Sequence, residues 1–169
     1  MRVDIVTKEY PPEIYGGAGV HVTELVKALR KSIEVQVRAF GQGRDEADTS
    51  SYTVPVELGS ANPAIQTLGV DLEIVGDVAG ADVVHSHTWY ANFAGHLASL
   101  LRHPARRRAL PRAPAPVEGG AAGRRLRRLE IIEQTAYEHA TAVVAVSEAC
   151  GATSCAAPHA RSREGAGDL

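Results

Sequence analysis

The sequence predicts an α/β fold, namely a Rossmann-like, three-layer domain with a mostly parallel sheet. Short runs of β-branched and apolar residues alternate along the chain with helical patterns, and the links between them are short. Such alternation is typical of βαβ units, whose strands run parallel and whose helices cover the sheet. The expected strands lie at residues 2–7, 34–40, 81–87 and 141–147, with an edge strand at 52–58.

The first strand and the first helix have the clearest patterns. "RVDIVT" (2–7) is a β-branched run that ends at a proline-rich loop, which indicates a buried strand. In the helix that follows, apolar residues at i, i+3, i+4 and i+7 share one face, and charged residues take the other. The apolar residues are Val22, Leu25, Val26 and Leu29.

The next two strands are predicted with different positions in the sheet. "EVQVRAF" (34–40) alternates like a strand, and the polar stretch 41–51 after it is typical of a loop. "YTVPVEL" (52–58) is expected at an edge, because Pro55 has no N–H group for a central ladder.

The second half of the chain repeats the alternation. "DLEIVGDVAG" (71–80) predicts a short helix that ends near Gly80, and "ADVVHSH" (81–87) predicts a strand. A further helix carries Trp89, Phe93, Leu97 and Leu100. "LEIIEQTAYEHA" (129–140) is again helical, and "TAVVAVS" (141–147) is a strand.

Composition excludes several classes of protein. A hydrophobic content of 44% and a net charge of −2 fit a globular protein and predict no polyanion-binding role. We expect a cytoplasmic setting, because neither a signal peptide nor a membrane span is visible. Cys150 and Cys155 do not suggest a disulfide framework, and a metal pair with His159 is the weaker alternative. We expect no cofactor.

Ligands of open parallel sheets bind beyond the carboxyl ends of the strands. This rule places Lys8–Gly19, His85–Trp89 and Ser147–Glu148 along one rim. We expect the functional site there.

Within the first of these segments, "GGAG" (16–19) precedes the first helix. A helix N-terminus has unpaired N–H groups and the positive end of the helix dipole, both of which suit phosphate. Glycine allows positive φ and removes the Cβ atoms that would hold a diphosphate away. The spacing matches neither a P-loop nor a dinucleotide fingerprint, and an ordinary strand-to-helix turn that needs small residues is the alternative.

Three stretches together carry a family resemblance: "KEYPPEIYGGAGVHVTELVKALR", "ADVVHSHTWYANFAGHLASLL" and "AYEHATAVVAVSE". They resemble retaining glucosyltransferases of the GT-B fold, above all actinobacterial glycogen synthases and starch synthases. The resemblance covers residues 1–101 and roughly 130–148. It implies the N-terminal half of a GT-B enzyme, whose donor-binding C-terminal domain is not among these residues.

The resemblance also implies substrates and site residues. The donor would be a nucleotide-diphosphate glucose such as ADP-glucose, and the acceptor an α-1,4-glucan or glucose 1-phosphate, with no metal required. Gly16, Gly17, Ala18 and Gly19 would contact the donor's diphosphate, and His87 would face the reacting sugar. No membrane or specific nucleic-acid partner is expected, and the oligomeric state stays open.

The remaining polar residues on the rim each have two interpretations. His85 and His87 point the same way if they lie on a strand, and without the resemblance a packed histidine is the better interpretation of either. With it, His87 is a site residue and His85 belongs to the core or supports its neighbour. Lys8, Glu9 and His21 are candidates for the acceptor side, or else solvated residues. Trp89 and Phe93 are expected to pack rather than to stack on sugar.

Residues 102–128 depart from the family pattern. They hold nine arginines and one acid, Glu118, with no amphipathic period. A family segment of the type "PWKAEQLGGGYR", written in GC-rich codons and read out of frame, gives "VEGGAAGRRL", which is the sequence of residues 117–126. We therefore predict a frame shift near residue 102, a return near 129, and a second shift after 148. The alternative is a basic disordered insert that touches nucleic acid or anionic surfaces.

The predicted organisation has four parts. Residues 1–101 form the acceptor-side domain, 102–128 an irregular segment, 129–148 a helix and strand of the same domain, and 149–169 a disordered tail. A core strand would then be missing beside the "VVHSH" strand, and the sheet would have a gap or an exposed edge. We expect an incomplete domain that is inactive alone, and the rival function is a stand-alone binding module for a nucleotide sugar or glucan.

Overall fold

The structure of the chain is a computed structural model that describes residues 1–101, 109–111 and 132–144. Its elements in chain order are β1 (Arg2–Thr7), α1 (Gly17–Leu29), β2 (Glu34–Phe40), β3 (Thr49–Tyr52), a 3₁₀ turn (Val56–Leu58), α2 (Pro63–Asp77), β4 (Val83–Ser86), α3 (Trp89–Leu101), β5 (Ala109–Pro111), α4 (132–139) and β6 (Ala142–Val144). The six strands form one sheet in the order β3-β2-β1-β4-β5-β6, and each neighbouring pair is parallel. This is the strand order of a doubly wound Rossmann sheet, so the predicted α/β class and parallel sheet are confirmed.

Helices cover both faces of the sheet. Because side chains alternate along β1, Ile5 points to one face and Val6 to the other, and both are fully buried. Ile5 belongs to a core cluster with Val22 and Val26 of α1, whereas Val6 belongs to a second cluster with residues of α2 and α3. The three layers are therefore helix, sheet and helix.

A charged network lies inside the sheet layer. Asp4 of β1 has no exposed surface, and its carboxylate accepts hydrogen bonds from Arg2 Nε at 2.9 Å and from Arg38 Nε at 3.1 Å. Arg38 also donates to the hydroxyl of Tyr52 at 2.9 Å, and that hydroxyl donates to Asp77 at 2.9 Å. The network joins β1, β2, β3 and the end of α2, and the sequence pattern gave no sign of it.

The edge strand lies earlier in the chain than predicted. We expected it at 52–58, but β3 is Thr49–Tyr52, and Val56–Leu58 forms a 3₁₀ turn. The hydroxyl-bearing residues before Tyr52 pair with the end of β2, from Thr49 opposite Val37 onward. Pro55 lies outside the ladder, where its missing N–H group has no consequence.

Helix α2 is longer than the predicted segment 71–80. It begins at Pro63, because the side chain of Asn62 accepts hydrogen bonds from the N–H groups of Ala64 and Ile65. Asparagine at the cap followed by proline at the first helical position is a strong start signal. The prediction missed this signal because it followed only the apolar run.

The prediction of a gap in the sheet is wrong. Residues 109–111, inside the arginine-rich block, form strand β5 between β4 and β6. The backbone of Ala109 pairs with His85 on one side and with Ala142 on the other. The rest of 102–128 and the tail from residue 149 lie outside the described residues. No helix in the described part of the chain is long and apolar enough to cross a membrane.

Asp71 is a buried carboxyl group on α2. It has no exposed surface, and neither carboxyl oxygen has a hydrogen-bond partner among the described residues. Burial raises the pKa of Asp71 well above its usual range, because a charge is costly in an apolar layer, and this outweighs the opposing effect of the backbone of Ala94. The protonated form is therefore the form that folding favours.

We expect Asp71 to make the fold less stable as pH rises. Its contribution is fully present below the unfolded-state pKa of about 3.9 and is lost as pH rises toward the folded-state pKa, at about 1.4 kcal/mol per pH unit. Urea unfolding of the wild type and of Asp71→Asn between pH 4 and 8 measures this slope. The difference between the two proteins should shrink or change sign in favour of Asp71→Asn as pH rises. A difference that does not change with pH would contradict a protonated Asp71.

Candidate functional site

The loops after β1 and β4 meet at one end of the sheet. These two strands are neighbours, but the chain leaves β1 toward β2 on one side and leaves β4 toward β5 on the other. Such a reversal opens a crevice at the carboxyl ends of the strands. One contact joins the two loops: the hydroxyl of Tyr90 donates to Glu9 at 3.1 Å. Beside it the N–H of His87 donates to the carbonyl of Val6 of β1 at 2.8 Å, which extends the pairing of β1 and β4 by one hydrogen bond.

The glycine segment is the N-terminus of α1, which begins at Gly17. Gly16 is the N-cap residue, and no side chain caps its helix end by a hydrogen bond. The first turn contains no acidic residue. The first N–H groups of the helix thus have no side-chain cap and suit an anion.

Of the two reasons expected for glycine at these positions, positive φ and a missing Cβ atom, the first does not apply. We expected positive φ, but Gly16 is extended at φ −151°, and the described glycines with positive φ are Gly41 and Gly80. Backbone conformation therefore does not require glycine at 16, 17 or 19.

The space around each missing Cβ atom separates the three glycines into two groups. A Cβ atom on Gly19 would lie 3.0 Å from side-chain atoms of Glu9 and Ile14, and one on Gly16 would lie 3.2 Å from Glu9 Oε2. Packing inside the protein explains these two. A Cβ on Gly17 would meet no atom within 4 Å, and this residue is exposed. Internal packing thus leaves Gly17 unexplained.

Arg44 holds the loop that leads into this helix. Its guanidinium donates to the carbonyls of Pro11 at 2.8 Å and Tyr10 at 3.2 Å, and it pairs with Glu13 at 3.4 Å. The side chain of Arg44 is only 3% exposed. Sequence reasoning missed it, because it lies in a stretch that looks like a polar surface loop.

His21, His85 and His87 form one cluster. The two-residue spacing of His85 and His87 predicted that these two would point the same way. The rings of His85 and His87 are stacked with centroids 4.5 Å apart and planes 11° apart, so both point the same way. The ring of His21 on α1 lies 5.7 Å from that of His87. His87 is buried, His85 is half-buried and His21 is exposed.

His85 and His87 are both neutral at physiological pH. Burial, with the neighbouring histidine rings as the smaller cause, lowers the pKa of His87 to about 2 and the pKa of His85 to about 4. The Nε2 atoms of both have no hydrogen-bond partner among the described residues. A neutral imidazole can donate or accept one hydrogen bond at such an atom.

The turn between β4 and α3 is strained at Thr88. Its φ is +68°, in a region that β-branched residues rarely adopt. Strain of this kind concentrates at sites where the surrounding structure fixes a side chain for function. Here it lies directly after His87.

Lys8 and Glu9 lie on the same rim but in different surroundings. Lys8 is exposed, with its ammonium 5.5 Å from the centre of the Tyr90 ring. Glu9 is 6% exposed, and its Oε2 has no partner among the described residues.

Trp89 contacts Tyr90 edge to face, with ring centroids 5.3 Å apart, in keeping with a packing role. Sequence reasoning missed Tyr90 because a tyrosine in a helix that also carries Trp89 and Phe93 looks like core.

Other candidates fall outside this site or outside the described residues. Ser147 and Glu148, and the cysteine pair with His159, lie outside them. Within residues 1–101 and 132–144, no group of three or more His, Cys, Asp or Glu side chains could hold a metal ion.

The chain is similar to known glycosyltransferases. The family model described as "Glycosyltransferase Family 4" matches residues 15–162. An alpha-maltose-1-phosphate synthase of Mycolicibacterium smegmatis is 48% identical over 151 residues, which are 87% of this chain and 38% of that protein. The Mycobacterium tuberculosis protein of the same name is 46% identical over 153 residues, with 88% and 38% covered.

A solved structure supports the fold. Sucrose-phosphate synthase from Thermosynechococcus elongatus matches with a TM-score of 0.59 at 12% identity, over 85% of this chain and 41% of that one. At this identity the likeness shows the fold alone. The chain spans about 38% of the length of the curated relatives named above.

Proposed function

The chain belongs to glycosyltransferase family 4, and from this premise we propose that it forms the acceptor-side lobe of a retaining GT-B enzyme that transfers glucose from a nucleotide-diphosphate glucose, with ADP-glucose as the donor. The observation that carries the proposal is the uncapped, open N-terminus of α1 at Gly17, on the helix whose His21 ring lies 5.7 Å from the ring of His87.

The donor's diphosphate fits the N-terminus of α1. The uncapped N–H groups of the first turn and the helix dipole attract negative charge. The missing side chain at Gly17 leaves room for phosphate oxygens to approach the backbone. Gly16, Ala18 and Gly19 complete the segment, although Gly16 and Gly19 also have the internal reason given above.

His87 fits a role toward a sugar hydroxyl group. Because its imidazole is neutral and its Nε2 atom has no partner among the described residues, His87 can form a hydrogen bond with a sugar hydroxyl without carrying charge into the site. The stacked ring of His85 and the strained turn at Thr88 hold His87 in place. His85 is thus a support, and His21 on α1 borders the same cluster.

For the acceptor we favour glucose 1-phosphate over an α-1,4-glucan. The relatives bear the name of a synthase of maltose 1-phosphate, a compound that is glucose 1-phosphate extended by one glucose. The exposed ammonium of Lys8 suits a phosphate group, and Glu9 suits hydroxyl groups. The alternative is the activity of a glycogen synthase, the family member that the motifs resembled, with an α-1,4-glucan as the acceptor.

Transfer would need a second lobe in addition to these residues. In a two-lobed enzyme the cleft excludes water and positions the leaving diphosphate. We therefore expect no glucose transfer from the 169-residue chain alone. The second candidate is a stand-alone module that binds a nucleotide sugar or glucan, for which the uncapped N-terminus of α1 would supply the phosphate contacts.

We keep the frame-shift hypothesis for residues 102–128 and the tail after 148 as part of this proposal. The composition and the out-of-frame match at 117–126 support it, whereas the family match and strand β5 both extend into the block. Sequencing both strands of the gene tests it. An unbroken frame would overturn it, and a shifted frame downstream that encodes the second lobe would support it.

Titration of the ¹⁵N-labelled chain with ADP-glucose tests the proposed site. We expect amide shifts concentrated at Gly16–Gly19 and around His87, with a dissociation constant of about 1 mM, because one lobe supplies few contacts. Binding at about 1 μM without transfer would favour the stand-alone module. The absence of shifts at Gly16–Gly19 up to about 10 mM ligand would contradict the proposal.

A further inference from the structure

We propose that Tyr90 is a positioning residue, whose hydroxyl group holds one carboxylate oxygen of Glu9 so that the other oxygen is free to accept a hydrogen bond from a hydroxyl group of the acceptor sugar. This inference rests on the proposed function and gives one residue pair of that site a chemical role.

Tyr90 is fixed in place by its neighbours. It lies in the first turn of α3, two residues after the strained residue Thr88. Its ring contacts Phe40 edge to face at 6.4 Å and Trp89 at 5.3 Å. These contacts hold the ring while its hydroxyl group reaches across the crevice to Glu9, which lies 81 positions earlier in the chain.

Glu9 has one satisfied oxygen and one free oxygen. Oε1 accepts the hydrogen bond from Tyr90 at 3.1 Å, whereas Oε2 is buried without a partner among the described residues. Such an atom costs free energy in the unliganded protein, which a ligand that donates a hydrogen bond would recover. The free oxygen therefore indicates where a donor group of a ligand binds.

The negative charge of Glu9 determines which group of a ligand can bind at Oε2. A carboxylate repels phosphate and accepts hydrogen bonds from hydroxyl groups. Oε2 lies 3.2 Å from the places that a Cβ would take on Gly16 and Gly19, on the protein side of the glycine segment. Phosphate is thereby directed to the open side at Gly17, and sugar hydroxyls to Glu9.

Tyr90 keeps its proton in this arrangement. Burial and the nearby Glu9 carboxylate raise the pKa of Tyr90 to about 12, so its hydroxyl group is a hydrogen-bond donor at neutral pH. The ammonium of Lys8, 5.5 Å from the ring centre, places a positive charge close to the pair.

The test measures binding of two probes by the 169-residue chain and its variants. The probes are glucose 1-phosphate and inorganic phosphate, which differ only by the sugar. We expect Tyr90→Phe to weaken glucose 1-phosphate about 10-fold, since a hydrogen bond to a charged group is at stake, and to leave phosphate unchanged. Glu9→Gln should have the same selective effect, and the double variant should be no weaker than Glu9→Gln.

A merely structural role would weaken both probes together. Tyr15→Phe is the matched control, because Tyr15 lies in the loop before α1 and is 66% exposed, and it should change neither affinity. Equal losses for both probes in Tyr90→Phe, additive losses in the double variant, or no loss would each overturn the inference.

The titration with ADP-glucose separates this inference from the proposed function. If ADP-glucose shifts the amides of Gly16–Gly19 but Tyr90→Phe binds glucose 1-phosphate like the wild type, the inference alone is wrong. If the wild-type chain binds neither ADP-glucose nor glucose 1-phosphate, the proposed function fails and the inference with it.

Discussion

Replacement of Asp4 by alanine is expected to lower the free energy of unfolding by about 3 to 5 kcal/mol. Asp4 is the fully buried carboxylate at the centre of the network in the sheet, where Arg2 and Arg38 both donate to it. Without it, Arg38 would keep its charge in a site that is 10% exposed. Breaking a buried pair by removing one partner is costly for this reason.

The remaining partners of Arg38 limit the loss but do not cancel it. Its Nη1 atom still has the hydroxyl of Tyr52, and its Nη2 atom still has the carbonyl of Asp77. These are neutral groups, so they cannot replace the negative charge of Asp4. The expected cost therefore stays within the range measured when buried ion pairs are broken.

Urea unfolding of Asp4→Ala at neutral pH measures the effect. Glu24→Ala is the matched control, because Glu24 forms an exposed pair with Lys27 at 2.8 Å, and its loss should cost less than about 0.5 kcal/mol. If Asp4→Ala costs no more than Glu24→Ala, the buried network does not stabilise the fold as described.

The parts of the fold that follow local patterns could be predicted from the sequence. β1 and α1 have a β-branched run and an apolar face that any correct fold must bury, and the structure buries Val22 and Val26 as expected. β3 could not be found in this way, because a four-residue strand of Thr, Ser and Tyr at an edge has no apolar alternation. The predicted α2 was too short, because the start of this helix depends on the cap at Asn62 rather than on hydrophobicity.

Strand β5 shows a second limit of local patterns. Its three residues lie in a block of arginines, alanines and prolines that has no periodicity, and the strand is defined by pairing with β4 and β6 on both sides. Pairing between residues far apart in the chain leaves no signal in a short window of sequence.

Local patterns likewise predicted only part of the candidate site. His85 and His87 could be placed on one side of a strand, since the spacing of two residues fixes their direction. The contacts of Tyr90 with Glu9 and of Arg44 with Pro11 join residues 81 and 33 positions apart, so the sequence alone could not reveal them. The glycines could be found, but only the structure separates Gly17 from its two neighbours.

The second large effect is expected at Gly17 in a two-lobed enzyme. Residues 1–101 of this chain, joined to the remainder of the Mycolicibacterium smegmatis relative, would supply both lobes. We expect Gly17→Leu in this fusion to lower kcat/KM for glucose transfer from ADP-glucose about 100-fold, because the side chain would occupy the space of the diphosphate and separate it from the helix N-terminus.

Stability cannot explain such a loss. A Cβ atom at Gly17 would have open space around it, and leucine is a better helix former than glycine. Gly76→Leu is the matched control: Gly76 lies on α2, is exposed, and likewise has open space around its missing Cβ. Both variants should therefore unfold at the wild-type urea concentration or above it.

The most direct measurement is the ratio of kcat/KM for glucose transfer between the Gly17→Leu and Gly76→Leu fusions. If peptide N–H groups at the start of α1 bind the donor's charged bridge, the Gly17→Leu enzyme should be about 100-fold slower than its control while both stay folded. Equal rates in the two fusions would show that the open backbone at Gly17 does not contact the donor, and would contradict the assignment of this crevice as the transfer site.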